Sequence, residues 1–108
     1  MSEIFRGSTD NHFKADVLEH KGLVLVDFFE EGSPSCNSLE AALKQVTPAY
    51  NAKARFIKMD IQETPGTTAK YGVGTVPTVM LFSDGVEVAR EVGPLSVEKV
   101  TSLLDRVE

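Results

Sequence analysis

Apolar positions along the chain are grouped into short runs that predict buried β-strands. Leu23–Phe29 is nearly continuous in apolar, β-branched and aromatic residues, which is typical of a central strand covered on both faces. Arg55–Ile61 and Thr78–Phe82 are predicted to be two further interior strands of the same sheet. Asp84-Gly85 favours a two-residue hairpin turn into Val86–Val92, so that strand is predicted to pair antiparallel with the one before it.

Helical spacing of apolar residues predicts helices between these strands. The clearest start is Ser33-Pro34, a serine N-cap followed by proline at the first helical position. This helix is expected to reach about Tyr50 and to bury Leu39, Leu43 and Val46 on one face. Three further helices are expected, from Asp10 to about His20, from Thr64 to about Gly72, and from Ser96 toward the C-terminus, with Asp10 and Ser96 as the N-caps of the first and the last.

A weak short strand at Ile4–Arg6 completes the element order β-α-β-α-β-α-β-β-α. Strands that alternate with helices and end in a hairpin predict the α/β class, with a central mixed five-stranded sheet flanked by four helices. The 108 residues are enough for one core and leave no room for a second. Residues 1–108 are therefore expected to form a single domain.

Charge and apolar content narrow the classes of partner. The net charge is −5 and the isoelectric point is about 5.0, so the chain lacks the basic character typical of proteins that bind nucleic acid or anionic membranes. No apolar run approaches the roughly 20 residues of a membrane span, and the first residues do not resemble a secretory signal. We therefore expect a cytoplasmic protein with neither nucleic acid nor membrane among its partners. We also expect the protein to be a monomer.

Cys36 is the only cysteine, and this count limits the chemistry more than any other feature of the composition. A single thiol excludes an intramolecular disulfide and a cysteine-based metal cluster within one chain. His12 and His20 have no partner at the spacing of a metal site or a catalytic triad. No metal and no cofactor are therefore expected.

Four segments, in order and at matching spacing, resemble the thioredoxin family over nearly the whole chain. They are Val24–Phe29, Thr64–Val73, Val76–Thr78 and Val92–Ser96. The resemblance implies the thioredoxin fold and the activity of a protein-disulfide oxidoreductase. It also implies partners that carry protein disulfides or thiols, with a thioredoxin reductase as a further partner.

The active-site motif is where this chain departs from the family. Thioredoxins carry Trp-Cys-Gly-Pro-Cys, and counting forward from Asp27 aligns this motif with Gly32-Ser33-Pro34-Ser35-Cys36. Ser33 therefore stands at the position of the attacking cysteine, and Cys36 stands at that of the resolving cysteine. Gly32 stands at the position of the tryptophan.

The surroundings of the motif match the family more closely than the motif does. By resemblance, Asp27 is the buried acid beneath the resolving cysteine, where it helps to move that cysteine's proton, and Lys58 is its lysine partner on the neighbouring strand. An acid inside an apolar strand is also expected to have a raised pKa. The alternative for this pair is a buried ion pair without catalytic use. The residues implied to bind substrate are Gly32, Pro34, Val76, Pro77 and Gly93. Pro77 corresponds to the family's cis-proline, and its ring is expected to face Cys36.

Thiol–disulfide exchange needs an attacking thiolate and a second thiol that resolves the mixed disulfide. A serine hydroxyl barely ionises at neutral pH, so Ser33 cannot replace the attacking cysteine, and the chain as written should not run the two-thiol cycle. Cys36 is then a single-thiol nucleophile, a resolving thiol with nothing to resolve, or an inert buried cysteine. The inert or sluggish interpretation is favoured, because free cysteine is among the most buried residue types.

Three functions fit this site. The first is a thioredoxin-like redox protein that is either naturally monothiol or inactivated by a cysteine-to-serine change at Ser33. The second is a non-catalytic module that binds a dedicated protein partner, which suits the loss of a large apolar contact at Gly32. The third is a glutaredoxin-like protein that works with glutathione or an iron–sulfur cluster, and it ranks last because that chemistry uses the first cysteine position.

Overall fold

The sheet has five strands in the order β1-β3-β2-β4-β5, seen in a computed structural model in which residues 5–106 are described. The strands are β1 (Phe5–Gly7), β2 (Leu23–Phe29), β3 (Ala54–Asp60), β4 (Thr78–Ser83) and β5 (Val86–Val92). β1, β3 and β2 run parallel to one another, whereas β4 and β5 pair antiparallel with their neighbours. The mixed sheet and its three interior strands are confirmed. Ile4, at the start of the predicted first strand, lies outside the described residues.

Four helical segments flank the sheet within the described residues, as the sequence predicts, but the first differs in type. Lys14–Leu18 is a π-helix, in which the Glu19 N–H donates to the Lys14 carbonyl at 2.8 Å. The α-helices are α1 (Pro34–Tyr50), α2 (Pro65–Lys70) and α3 (Val97–Arg106). None of the helices described between residues 5 and 106 is long and apolar enough to cross a bilayer.

Asp10 caps a different helix from the one expected. Its carboxylate accepts hydrogen bonds from the N–H groups of Gly66 and Thr67, at 3.0 and 2.8 Å, and from the Thr67 hydroxyl at 2.6 Å. These amides lie in the first turn of α2, and the hydrogen bonds from Thr67 lower the pKa of Asp10. Thr64, the residue before α2, donates its hydroxyl to the Asp60 carbonyl at 2.8 Å. The fold therefore brings the carboxylate to a helix that begins far along the chain.

The two faces of the sheet have separate cores. One face packs against α1 and α3 through Leu23, Leu25, Phe56, Val79, Leu81, Leu39, Leu43, Val46, Val100, Leu103 and Leu104. The opposite face contains Phe13, Val17, Val24, Val26, Phe28, Ile57, Met59, Met80 and Phe82. Because side chains alternate along a strand, Asp27 lies on the same face as Leu23 and Leu25, which α1 and α3 cover. The sheet thus directs one acid toward the helix that carries Cys36.

Candidate active site

Ser33 and Cys36 lie at the start of α1, after the loop that follows β2. Ser33 is the N-cap, with an extended backbone (φ −77°, ψ 122°), and its Oγ accepts a hydrogen bond from the Cys36 N–H at 3.3 Å. Pro34 occupies the first helical position, where a missing N–H leaves no helical hydrogen bond unmade. The predicted N-cap is confirmed. The hydroxyl at the attacking position therefore serves the backbone of the helix.

Cys36 is a free thiol, and only 3% of the residue is exposed. It shares the buried face of α1 with Leu39 and Leu43. Exchange requires a thiolate sulfur to reach a disulfide sulfur directly, and a sulfur on the buried face offers no such approach to a disulfide in solution. Burial therefore favours the inert or sluggish interpretation of Cys36 over that of a single-thiol nucleophile.

Gly32 lies in the exposed loop before Ser33. Its φ of 82° is a conformation that residues with side chains rarely adopt. A Cβ built there would meet no atom of the described chain within 4 Å. The position of the family's tryptophan is therefore open surface here, and a bulky side chain at this position would favour a different loop backbone.

Asp27 is the buried acid of the site. The residue is 1% exposed, and its Oδ1 has no hydrogen-bond partner within residues 5–106. Burial raises the pKa of Asp27 to about 7; the Lys58 ammonium opposes this rise, and the Glu40 carboxylate adds to it. The raised pKa expected from the apolar strand is confirmed. Asp27 therefore gains and loses its proton near neutral pH.

Lys58 lies beside Asp27 but donates its hydrogen bond to another acid. The two residues are register partners on the parallel strands β2 and β3. Lys58 Nζ nevertheless donates to Glu40 Oε1 at 3.2 Å, and it sits 4.7 Å from the centroid of the Phe29 ring. In the described part of the chain, Lys58 thus acts on Asp27 through its charge rather than through a hydrogen bond.

Glu40 is a residue of this site that the sequence analysis did not identify. It lies one helical turn after Cys36, so the two side chains share a face of α1. Lys44 Nζ, a further turn along, lies 3.4 Å from Glu40 Oε2. Burial works to raise the pKa of Glu40, but the hydrogen bonds and charges of Lys58 and Lys44 lower it overall. The only sequence signal for Glu40 is that an acidic residue lies on the side of an amphipathic helix that is expected to face the sheet.

Val76, Pro77 and Gly93 meet where β4 begins and β5 ends. The Val76–Pro77 peptide bond is cis, as expected. The Pro77 carbonyl accepts a hydrogen bond from the Gly93 N–H at 2.8 Å, and Gly93 has a φ of 101°. Because β4 is antiparallel to β2, this end of the sheet is also where β2 leads into the loop before Ser33. The fold brings these predicted substrate-binding residues to the motif's end of the sheet; that the Pro77 ring faces Cys36 stays a prediction.

Comparison with known proteins agrees with this geometry. The family model described as Thioredoxin matches residues 5–106. The chain is 40% identical over 105 residues to a thioredoxin of Pseudomonas aeruginosa, with 97% of each chain covered. It is 31% identical over 106 residues to Thioredoxin C-2 of Corynebacterium nephridii (98% of each covered) and 35% identical over 96 residues to a thioredoxin of Rickettsia conorii (89% of each covered). The fold, the family model and the relatives agree: the chain belongs to the thioredoxin family of redox proteins.

Proposed function

We propose that this chain is a thiol–disulfide protein of the thioredoxin type whose site, as it stands, does not run the two-thiol cycle. The observation that carries the proposal is the pair of residues at the start of α1. The Ser33 hydroxyl caps the helix where an attacking thiol would stand, and the single thiol of Cys36 is buried. Position 33, where the attacking cysteine of the family stands, therefore has no sulfur.

The two-thiol cycle consists of two exchanges. In the first, a thiolate attacks one sulfur of a substrate disulfide, so that a mixed disulfide forms and the other substrate sulfur leaves as a thiolate. In the second, the resolving thiolate attacks the enzyme's sulfur in the mixed disulfide, and the remaining substrate sulfur leaves. Ser33 forms no disulfide bond, so the first exchange does not occur at this position. Cys36 consequently has no mixed disulfide to resolve.

The remaining site residues are proposed to keep the roles that their positions have in the family. Asp27 is the proton acceptor for a resolving thiol at Cys36, supported by its burial and by a pKa of about 7. Lys58 supports this acid through its charge. A partner that carries a disulfide or a thiol is proposed to bind as an extended peptide along Gly32, Pro34, Val76, Pro77 and Gly93. A thioredoxin reductase as partner, a cytoplasmic location and the monomeric state stay predictions.

A non-catalytic binding module is the second candidate, and the loop at Gly32 favours it. The open surface at the tryptophan position removes a large apolar contact for substrates in general. A dedicated partner compensates for that loss through additional contacts with the other proposed peptide-binding residues. Peptide binding of this kind uses Pro77 and Gly93 and leaves Cys36 buried.

Insulin reduction by dithiothreitol tests the first candidate. The chain is expected to match the rate of dithiothreitol alone, and Cys36→Ala is expected to give the same rate. A faster rate that disappears in Cys36→Ala would overturn the proposal, because the buried thiol would then attack on its own. Equally tight binding, by calorimetry, of an oxidised peptide and of the same peptide with its cysteines replaced by serine would select the second candidate, because recognition would then not depend on a disulfide.

A further inference from the structure

The hydrogen bonding around Lys58 is unusual for a lysine placed next to a buried acid. Asp27 and Lys58 share one face of two adjacent strands, so the ammonium is near the carboxyl. The hydrogen bond nevertheless goes to Glu40 Oε1 at 3.2 Å, while no donor among the described residues reaches Asp27 Oδ1. A buried carboxyl oxygen without a partner is costly, so contacts elsewhere must favour the position that the ammonium takes instead.

Glu40 has the geometry to hold that cation. Its two carboxylate oxygens are divided between two lysines, with Lys58 at 3.2 Å and Lys44 at 3.4 Å. The Glu40 side chain is 30% exposed and that of Lys58 is 25% exposed, so the pair is only partly screened by water. The Phe29 ring, 4.7 Å from Lys58 Nζ, adds a cation–π contact that keeps the ammonium in this position.

We propose that Glu40 is a positioning residue that holds the Lys58 ammonium away from Asp27 and thereby controls the charge of the buried carboxyl. Without Glu40, the ammonium turns toward the carboxyl beside it and favours the carboxylate. With Glu40 in place, Asp27 keeps its proton to a higher pH. The relevance of this control to Cys36 rests on the proposed function, whereas the control itself does not.

The other groups packed around Asp27 do not offer the same control. On β4, its register partner is the apolar Val79, so that strand contributes no charge. β3 contributes Lys58, and α1 contributes Glu40 together with the thiol of Cys36 on the same helix face. Lys44 contacts the second carboxylate oxygen of Glu40, Oε2, at 3.4 Å, and its own side chain is exposed.

Carbon-13 NMR titration of the Asp27 carboxyl in the full chain tests the proposal. Wild type is expected to titrate near pH 7, and Glu40→Gln, which keeps the shape of the side chain, is expected to lower that midpoint by about one pH unit. Lys44→Met is the matched control, because it removes the exposed lysine that contacts the same Glu40 carboxylate. It is expected to move the midpoint by less than about 0.3 pH unit. An unchanged midpoint in Glu40→Gln, or equal shifts in both variants, would overturn the proposal.

A second pair of variants separates positioning from a simple effect of charge at a distance. In the Lys58→Met background, Glu40→Gln is expected to shift the Asp27 midpoint by less than half as much as in wild type, because its main route of action is gone. An equal shift in both backgrounds would show that Glu40 does not act through Lys58. The titrations use no disulfide substrate, so their failure is distinct from failure of the insulin test, and circular dichroism confirms that each variant is folded.

Discussion

Asp27→Asn is expected to gain stability relative to wild type as the pH rises. In the folded chain the carboxyl has a pKa of about 7, whereas its ordinary value is 3.8. Between these values the folded state holds a proton that the unfolded state has released, so the contribution of Asp27 to wild-type stability falls as pH increases. Complete ionisation of Asp27 in the folded chain costs about 4 kcal/mol, because each tenfold difference in proton affinity is worth about 1.36 kcal/mol. The amide of the variant carries no such penalty.

Urea unfolding across the range from about pH 4 to about pH 8.5 measures this effect. The quantity of interest is the free energy of unfolding of Asp27→Asn minus that of wild type. Contributions from other carboxyls, such as Asp10, are common to both proteins and cancel. A cost of burying the amide shifts the difference by a constant and leaves its slope unchanged. Glu31→Gln makes the same kind of change at an exposed residue and is the control with which the slope for Asp27→Asn is compared.

The expected difference rises through the interval and levels off above about pH 8, by an amount on the order of 4 kcal/mol. A flat difference would refute the reasoning, because Asp27 would then titrate alike in the folded and unfolded states. A difference that falls with pH would contradict it more strongly, since the carboxylate would then be stabilised in the folded state by direct pairing with Lys58.

Three further outcomes are expected. Ser33→Ala should lower the free energy of unfolding by about 1 kcal/mol in urea titrations, because the N-cap hydrogen bond is lost; no change would show that the hydroxyl does not cap α1. Gly85→Ala should destabilise by more than about 2 kcal/mol, since φ is 83° and the new Cβ would collide with the Leu18 carbonyl oxygen, whereas Gly74→Ala, with open space, should have a small effect. Cys36 should react with a thiol reagent far more slowly in the folded protein than in urea, and equal rates would show that the thiol is accessible.

Much of the fold was accessible from the sequence because its strands are apolar runs bounded by turns. Leu23–Phe29 and Val86–Val92 coincide with the strands in the structure, and Thr78–Phe82 is one residue shorter than β4. The predicted cap of the first helix was wrong because the partner of Asp10 lies more than fifty residues away, at the start of α2. Local patterns of apolar and polar residues contain no information on such a contact.

Two features of the candidate site could be predicted, because each depends only on the residues immediately around it in the sequence. An acid within an apolar strand identifies Asp27, and the serine before a proline identifies the N-cap at Ser33. Glu40 was missed because its role depends on the register between α1 and β3, which brings Lys58 beneath it. The resemblance to the family assigned Lys58 to Asp27, and the structure shows that the hydrogen bond of this lysine goes to Glu40 instead.

Ser33→Cys tests the central claim most directly, because it supplies the attacking thiol at the position of the N-cap, with Cys36 three residues along the same helix start. Redox titration with glutathione should then show one internal disulfide, and insulin reduction should rise above the dithiothreitol background. Asp27→Ala in the same chain should slow that reduction, since the acceptor for the Cys36 proton is removed. Ser35→Cys, which adds a thiol next to Cys36, is the control and should give neither result. If Ser33→Cys forms no internal disulfide, the account is contradicted and the chain is a binding module that has lost its redox chemistry.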